Sequence, residues 1–123
     1  MANKDNVYRE ELMNFAVKIV QLKNYLNNVK HEYNMADQIQ RSATSIGAMQ
    51  REASYAESEA DFIHKLGVAQ KECGETLFWL ELLHKTSYLS DEQFSDLYKE
   101  CSIIMRRLSS SIKTVKQKLN NTK

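Results

Sequence analysis

The segment ADFIHKLGVAQKECGETLFWLELL, residues 60–83, decides the fold that this sequence predicts. Each residue of a helix advances about 100° around the axis, so apolar residues three or four positions apart share one face. The face that we expect to point into the core comprises Phe62, Leu66, Ala69, Cys73, Leu77, Leu80 and Leu83. The opposite side is apolar as well and comprises Val68, Phe78, Trp79 and Leu82. Because a helix that is apolar all round is buried all round, the segment predicts a second covering surface.

The outer side of this helix has a second interpretation, in which Trp79 lies flat on the surface or beneath a loop or tail. Scattered exposed apolar residues are normal on soluble proteins. Burying a large aromatic side chain is worth about 2–3 kcal/mol, however. Four apolar residues on one stripe therefore favour coverage by identical copies of the chain over simple exposure.

The composition favours an all-helical protein of one domain, residues 1–123. Proline is absent and glycine occurs only 3 times, whereas turn-rich β folds use both residues heavily. The amino-terminal residues are polar, and no stretch approaches about 18 consecutive apolar residues. We therefore expect neither a secretory signal nor a membrane span, and a cytoplasmic location.

The spacing of apolar residues predicts helices over about 6–28, 35–54, 59–86 and 91–119. The first has a heptad seam of Tyr8, Leu12, Phe15, Ile19, Leu22, Leu26 and Val29, and a second stripe of Met13, Val17 and Val20. Short connections make neighbouring helices antiparallel, which predicts an up-down-up-down four-helix bundle. The two outer stripes extend this prediction to a homo-oligomer that closes into a ring.

Three helix starts have recognisable capping residues. Asn34 is a predicted N-cap of the second helix, with Asp37 in the first turn. Ser58 followed by Asp61 resembles a capping box at the third helix. Ser90 and Gln93 form the clearest capping box, which fixes the start of the fourth helix.

No catalytic, cofactor or metal site is predicted, and we expect a protein that is not an enzyme. Cys73 and Cys101 lie on predicted core faces, where free cysteine behaves as a small hydrophobe. The Glu-x-x-His pattern of di-iron bundles occurs at His84, with an Asp variant at His64. Both lie on the third helix, about 30 Å apart at 1.5 Å per residue, so they do not converge.

The charge is unevenly distributed although the net charge is only +1. Residues 57–100 are predominantly acidic, whereas residues 101–123 contain basic residues and no acidic ones. Cations on an outer helix face bind phosphates without reading sequence. The candidate nucleic-acid-binding residues are Arg106, Arg107, Lys113, Lys116 and Lys118. The alternative is a solvated face whose cations stabilise the carboxyl end of the helix.

Several short motifs, in order, resemble those of one bacterial family. These are QIQRSATSI at 38–46, REA at 51–53, ADFI at 60–63, WLELL at 79–83 and YLS at 88–90. They resemble the four-helix-bundle proteins related to the 23S rRNA intervening-sequence protein. The resemblance implies an antiparallel bundle that assembles as a homopentamer.

A related branch of that family serves as the accessory protein of diversity-generating retroelements. In that branch a basic pentamer binds nucleic acid and a reverse transcriptase. The resemblance therefore implies RNA or DNA, and by analogy a reverse transcriptase, as candidate partners. Our hypothesis is a ring-forming, RNA-associated accessory protein, and the alternative is a protein–protein interaction scaffold that binds no nucleic acid.

Overall fold

Four helices form the protein in a computed structural model, which describes the backbone of residues 2–121 and the side chains of residues 8–121. They are α1 (Ala2–Asn28), α2 (Asn34–Ala53), α3 (Glu59–Lys85) and α4 (Asp91–Asn121). All four predicted helices are present, although α1 begins earlier and α4 ends later than the spacing indicated. Met1, Thr122 and Lys123 of the predicted domain lie outside the described residues.

The helices pack in a cycle that is consistent with the predicted up-down-up-down bundle. Helix α3 packs extensively against both α2 and α4, and α1 packs against α2. Helices α1 and α4 approach closely at only a few positions. In the described residues, no Cα atoms of α1 and α3 lie within 8 Å of each other. Helices α1 and α3 are therefore diagonally opposite.

The core is built from the predicted apolar faces of α1 and α3, together with buried apolar residues of α2 and α4. Phe15, Ile19 and Leu26 of α1 are at most 1% exposed, as are Leu80 and Leu83 of α3. Phe62 and Leu77 of the predicted core face are only partly buried, and they pack against the edge of the core. The spacing of apolar residues thus identified the centre of the core correctly, but the fully buried face of α3 is narrower than the spacing predicted.

A pair of buried hydroxyl groups joins α2 to α3, and the spacing of apolar residues did not reveal it. Ser42 and Thr76 are both 0% exposed, and their hydroxyl oxygens lie 2.8 Å apart. Thr76 also donates to the Glu72 carbonyl at 2.8 Å, as expected of a hydroxyl within a helix. Buried polar groups are tolerated when they are paired in this way.

The prediction that Val29 belongs to the α1 seam was wrong. Helix α1 ends at Asn28, and Val29 is 59% exposed. The chain reverses immediately afterwards, with His31 at φ 56°. Val29 therefore directly follows the last residue of α1, and its side chain stays in solvent where the chain reverses.

The turn between α3 and α4 is a Schellman motif, which satisfies the last carbonyl groups of α3. The Tyr88 N–H donates to the Leu83 carbonyl at 2.9 Å, and the Ser87 N–H donates to the His84 carbonyl at 3.1 Å. Ser87 has φ 69°, a left-handed conformation that glycine usually provides. Leu89 follows and is buried against the core, which fixes the direction in which α4 departs.

The helix starts agree with the sequence at two of three positions. The Gln93 N–H donates to Ser90 Oγ at 3.1 Å, and the Ser90 N–H donates to Gln93 Oε1 at 2.9 Å. The Asp61 N–H likewise donates to Ser58 Oγ at 3.0 Å. The prediction for Asn34 was wrong, because Tyr33 occupies the N-cap position without a side-chain hydrogen bond. The Glu32 carboxylate instead accepts from the Ala36 N–H at 2.9 Å.

The reciprocal capping box predicts a measurable loss of stability for Ser90→Ala. Removing the hydroxyl leaves the Gln93 N–H without its acceptor, so we expect the free energy of unfolding to fall by about 1 kcal/mol. Urea unfolding followed by circular dichroism measures this change. Ser95→Ala, at an exposed position of the same helix, is the matched control and should be close to neutral. Equal stabilities for the two variants would contradict a structural role for the capping box.

Candidate nucleic-acid and assembly surfaces

Three of the five candidate cations on α4 are free for a ligand. Arg106, Lys113 and Lys116 are exposed, and none forms an ion pair with any residue from 8 to 121. Arg106 and Lys116 are ten residues apart on one helix, about 15 Å at 1.5 Å per residue. We call these three residues the basic face.

The other two candidates are engaged within the chain. Arg107 Nε lies 3.0 Å from Glu11 Oε2 on α1, and Lys118 Nζ lies 3.1 Å from Glu59 Oε1 on α3. Each cation thus has a carboxylate partner from a helix distant in sequence. The charge pattern of α4 alone contained no signal for these pairs, so the available basic surface is smaller than the sequence suggested.

The second stripe of α1 is exposed. Met13, Val17 and Val20 are 53%, 46% and 39% exposed, respectively. We call these residues the α1 stripe. A helix that presents three apolar side chains to solvent at helical spacing leaves a continuous apolar surface uncovered within one subunit.

A groove between α1 and α2 adjoins the α1 stripe. Its floor contains Leu12, Ala16, Gly47 and Ala48, with Arg51 among the polar residues of its lining. An added Cβ at Gly47 would meet the Leu12 side chain at 3.9 Å, an ordinary van der Waals distance, so α1 and α2 pack closely at this level. The spacing of apolar residues in the sequence did not reveal that Gly47 and Ala48 border an exposed apolar stripe.

The outer stripe of α3 is only partly covered. Phe78 is 54% exposed, and Val68, Trp79 and Leu82 are half-buried. We call these four residues the α3 stripe. The Trp79 ring packs against the margin of the core and meets the Phe78 ring edge-on, with centroids 5.0 Å apart. Phe78 is therefore the outermost aromatic group of α3.

Arg41 of α2 forms ion pairs with two acidic residues of α3 beside the α3 stripe. Its guanidinium lies 3.3 Å from Glu72 and forms a second ion pair with Glu75. The hydrogen bond from Arg41 lowers the pKa of the Glu75 carboxyl. Glu75 also accepts a long hydrogen bond, 3.5 Å, from the Trp79 indole. A network of ion pairs and hydrogen bonds thus borders the Phe78 and Trp79 rings.

The histidine of the Glu-x-x-His pattern, His84, has structural partners. His84 Nε2 lies 2.7 Å from Asp91 Oδ1, and its ring stacks on Phe94 at 4.2 Å, so it joins the end of α3 to the start of α4. Among the described residues, no three side chains of histidine, cysteine, aspartate or glutamate come together in a way that could hold a metal ion. In that same part of the chain, no helix combines the length and apolar character needed to cross a bilayer.

Comparison with known proteins gives a consistent result. A family model described as "23S rRNA-intervening sequence protein" matches residues 4–110. A crystal structure from Bacteroides thetaiotaomicron VPI-5482, of a protein of unknown function from the S23 ribosomal protein family, has 48% sequence identity and a TM-score of 0.87. The match covers 89% of this chain and 98% of that one. Functionally curated proteins give no match.

The different environments of adjacent arginines predict different effects on stability. Arg107→Ala removes the ion pair with Glu11 and should lower the free energy of unfolding by up to about 1 kcal/mol, the range of partly exposed pairs. Arg106→Ala, one residue away and without an ion pair, is the control and should be neutral. In about 1 M salt, where the Debye length is about 3 Å, the difference should shrink. A difference that is unaffected by salt would show that packing, rather than charge, distinguishes the two positions.

Proposed function

Because this chain belongs to the 23S rRNA-intervening sequence protein family, we propose that it is a non-enzymatic, ring-forming accessory protein that binds nucleic acid. The proposal has two parts, which are assembly through the apolar stripes and binding through the basic face of α4. The single observation that carries it is that an exposed apolar stripe on α1 and a partly exposed one on α3 lie on diagonally opposite helices of one chain.

The diagonal placement favours head-to-tail assembly. A two-fold dimer pairs the same patch on both subunits, so a dimer through one stripe leaves the other stripe exposed. Contact between the α3 stripe of one copy and the α1 stripe of the next uses both. Such a heterologous contact gives a ring when the rotation closes. Five subunits is the number that the family resemblance implies.

The groove beside the α1 stripe fits this arrangement. Small residues such as Gly47 and Ala48 form its floor, and Arg51 contributes to its lining. On the α3 side, the Glu75 carboxylate near Phe78 is already paired with Arg41. The exposed apolar side chain of Phe78 thus has an apolar groove as its counterpart, and this complementarity does not depend on charge.

Assembly also strengthens the case for nucleic acid. Three free cations on one subunit give a small phosphate-binding surface, but a ring repeats that surface in every copy. Each phosphate that is neutralised releases counterions, so affinity rises with the number of engaged cations and falls steeply with salt. RNA is the ligand that the family description favours, and a reverse transcriptase is a candidate partner only by family analogy.

A protein–protein scaffold without nucleic-acid binding is the second candidate function. The observation that favours it is the pairing of Arg107 with Glu11 and of Lys118 with Glu59. These pairs neutralise two of the five candidate cations within the chain. In that case the apolar stripes serve protein contacts and the remaining cations are solvated.

Substitutions at the exposed aromatic pair test the assembly. We expect Trp79→Glu to lower the molar mass in solution, because a carboxylate in the covered interface loses its hydration. Phe78→Glu should do the same with less risk to the fold, since Phe78 is the more exposed residue. Multi-angle light scattering measures the mass, and circular dichroism checks the helical content.

Tyr55→Glu is the matched control for these variants. Tyr55 is an aromatic residue that is 77% exposed and lies between α2 and α3, away from both stripes. Its variant should keep the mass of the unmodified protein. If the Phe78 and Trp79 variants also keep that mass, the α3 stripe is not the interface.

Replacing the basic face tests nucleic-acid binding. The triple variant Arg106→Ala, Lys113→Ala, Lys116→Ala should bind single-stranded RNA more weakly and with a shallower dependence on salt, because fewer counterions are released. The control replaces Lys30 and Lys85, which are exposed and lie outside α4, and it should leave the salt dependence almost unchanged. Filter binding over a salt series measures both slopes. Absence of binding by the unmodified protein at low salt would favour the scaffold function instead.

A further inference from the structure

Cys73 of α3 and Cys101 of α4 face each other in the core. Both cysteines are free and 0% exposed, and their sulfur atoms lie 3.6 Å apart. Cys73 Sγ also lies 3.4 Å from the Cys101 carbonyl oxygen, and Cys101 Sγ lies 3.8 Å from the Cys73 carbonyl oxygen. These reciprocal contacts require the two helix backbones to approach closely at this level.

The separation is within reach of a covalent bond. A disulfide has its sulfur atoms about 2.05 Å apart, so the two atoms need to move together by about 1.5 Å. Gly74 lies beside Cys73, and an added Cβ there would meet only the flexible end of Met105, at 3.8 Å. No bulky side chain at position 74 therefore holds α3 away from α4.

The two thiols are chemically unequal. A hydrogen bond from Cys101 lowers the pKa of the Cys73 thiol, and the same contact, together with burial, raises the pKa of the Cys101 thiol. Cys73 is therefore the sulfur that more readily becomes a thiolate, the form that attacks an oxidant. The Tyr8 hydroxyl is buried without a hydrogen-bond partner among the described residues, and burial raises its pKa.

We propose that Cys73 and Cys101 form a peroxide-sensitive modification site that closes to a disulfide between α3 and α4. The Cys73 thiolate attacks one oxygen of hydrogen peroxide, the O–O bond breaks, and a sulfenic acid and hydroxide form. Cys101 loses its proton to that hydroxide, giving water, and its sulfur attacks Cys73. The S–O bond breaks as the S–S bond forms, and the departing hydroxide takes a proton from solvent. In total, two thiols and one peroxide give one disulfide and two waters.

Burial controls the rate of this reaction. Peroxide is small, but it reaches fully buried thiols only when α3 and α4 separate locally. Oxidation is therefore slower than that of an exposed thiol and consumes one peroxide for each chain. The disulfide links α3 to α4. It therefore joins the helix of the α3 stripe to the helix of the basic face. This inference is independent of the proposed function, because it requires neither a ring nor nucleic acid.

The experiment exposes the reduced, folded, full-length protein to hydrogen peroxide and stops the reaction with catalase. The protein is then unfolded, alkylated and digested with trypsin. We expect peptide 72–85 linked to peptide 100–106, with neither cysteine alkylated. Methionine oxidation adds oxygen to individual peptides and is distinguished in the same map. The midpoint of thermal unfolding of the bridged protein should rise by on the order of 10 °C, because the bridge restricts the unfolded chain.

Single variants test the order of attack. Cys101→Ala leaves Cys73 without its resolving partner, so its sulfenic acid should accumulate and be trapped by dimedone. Cys73→Ala should give a much weaker dimedone adduct at Cys101. Circular dichroism establishes that each variant is folded. Formation of the disulfide itself is tested by the linked peptides of the unmodified protein, so that test does not depend on the folding of any variant.

Three outcomes would overturn the proposal. The first is that the cysteines of the folded protein remain alkylatable after peroxide treatment, whereas the urea-unfolded protein forms the disulfide. That result would show that the pair is inert in the folded core. The second is a bridge between two chains rather than within one. The third is preferential trapping at Cys101, which would reverse the assigned roles of the two sulfur atoms.

Discussion

The close approach of α3 to its two neighbours is the constraint on which the remaining structure depends. Small residues make it possible, since Ala69, Cys73 and Thr76 of α3 are fully buried. On the α2 side the hydroxyls of Ser42 and Thr76 share a hydrogen bond, and on the α4 side two thiols meet. In each contact two buried polar groups are partners for each other, so neither lacks a hydrogen-bonding partner in the core. Helix α3 is thereby held on two sides, and its remaining side faces outward.

Much of the fold was predictable because each helix has a regular apolar period and short connections. The seam of α1 and the capping box at Ser90 follow from local rules, and the structure confirms both. Val29 and Asn34 were predicted incorrectly for a related reason. The connection between α1 and α2 turns through His31 in a left-handed conformation, and no glycine or proline marks that position in the sequence.

The candidate surfaces were less predictable, because they depend on contacts between helices. The sequence identified Met13, Val17 and Val20 as a stripe outside the seam, and the structure leaves these residues exposed. The sequence did not reveal that Arg107 and Lys118 have carboxylate partners, since Glu11 and Glu59 are remote along the chain. Charge patterns along one helix predict which residues face outward, whereas the pairing of those charges is a property of the assembled bundle.

The chain contains 1 tryptophan, and its position makes it a natural optical reporter. The indole of Trp79 lies between the core margin, the Phe78 ring and the Glu75 carboxylate. Its emission wavelength depends on contact with water, so any molecule that settles on this part of α3 displaces that water and shifts the emission to the blue. The intrinsic fluorescence of the unlabelled protein thus distinguishes occupants of α3 from ligands that settle only on α4.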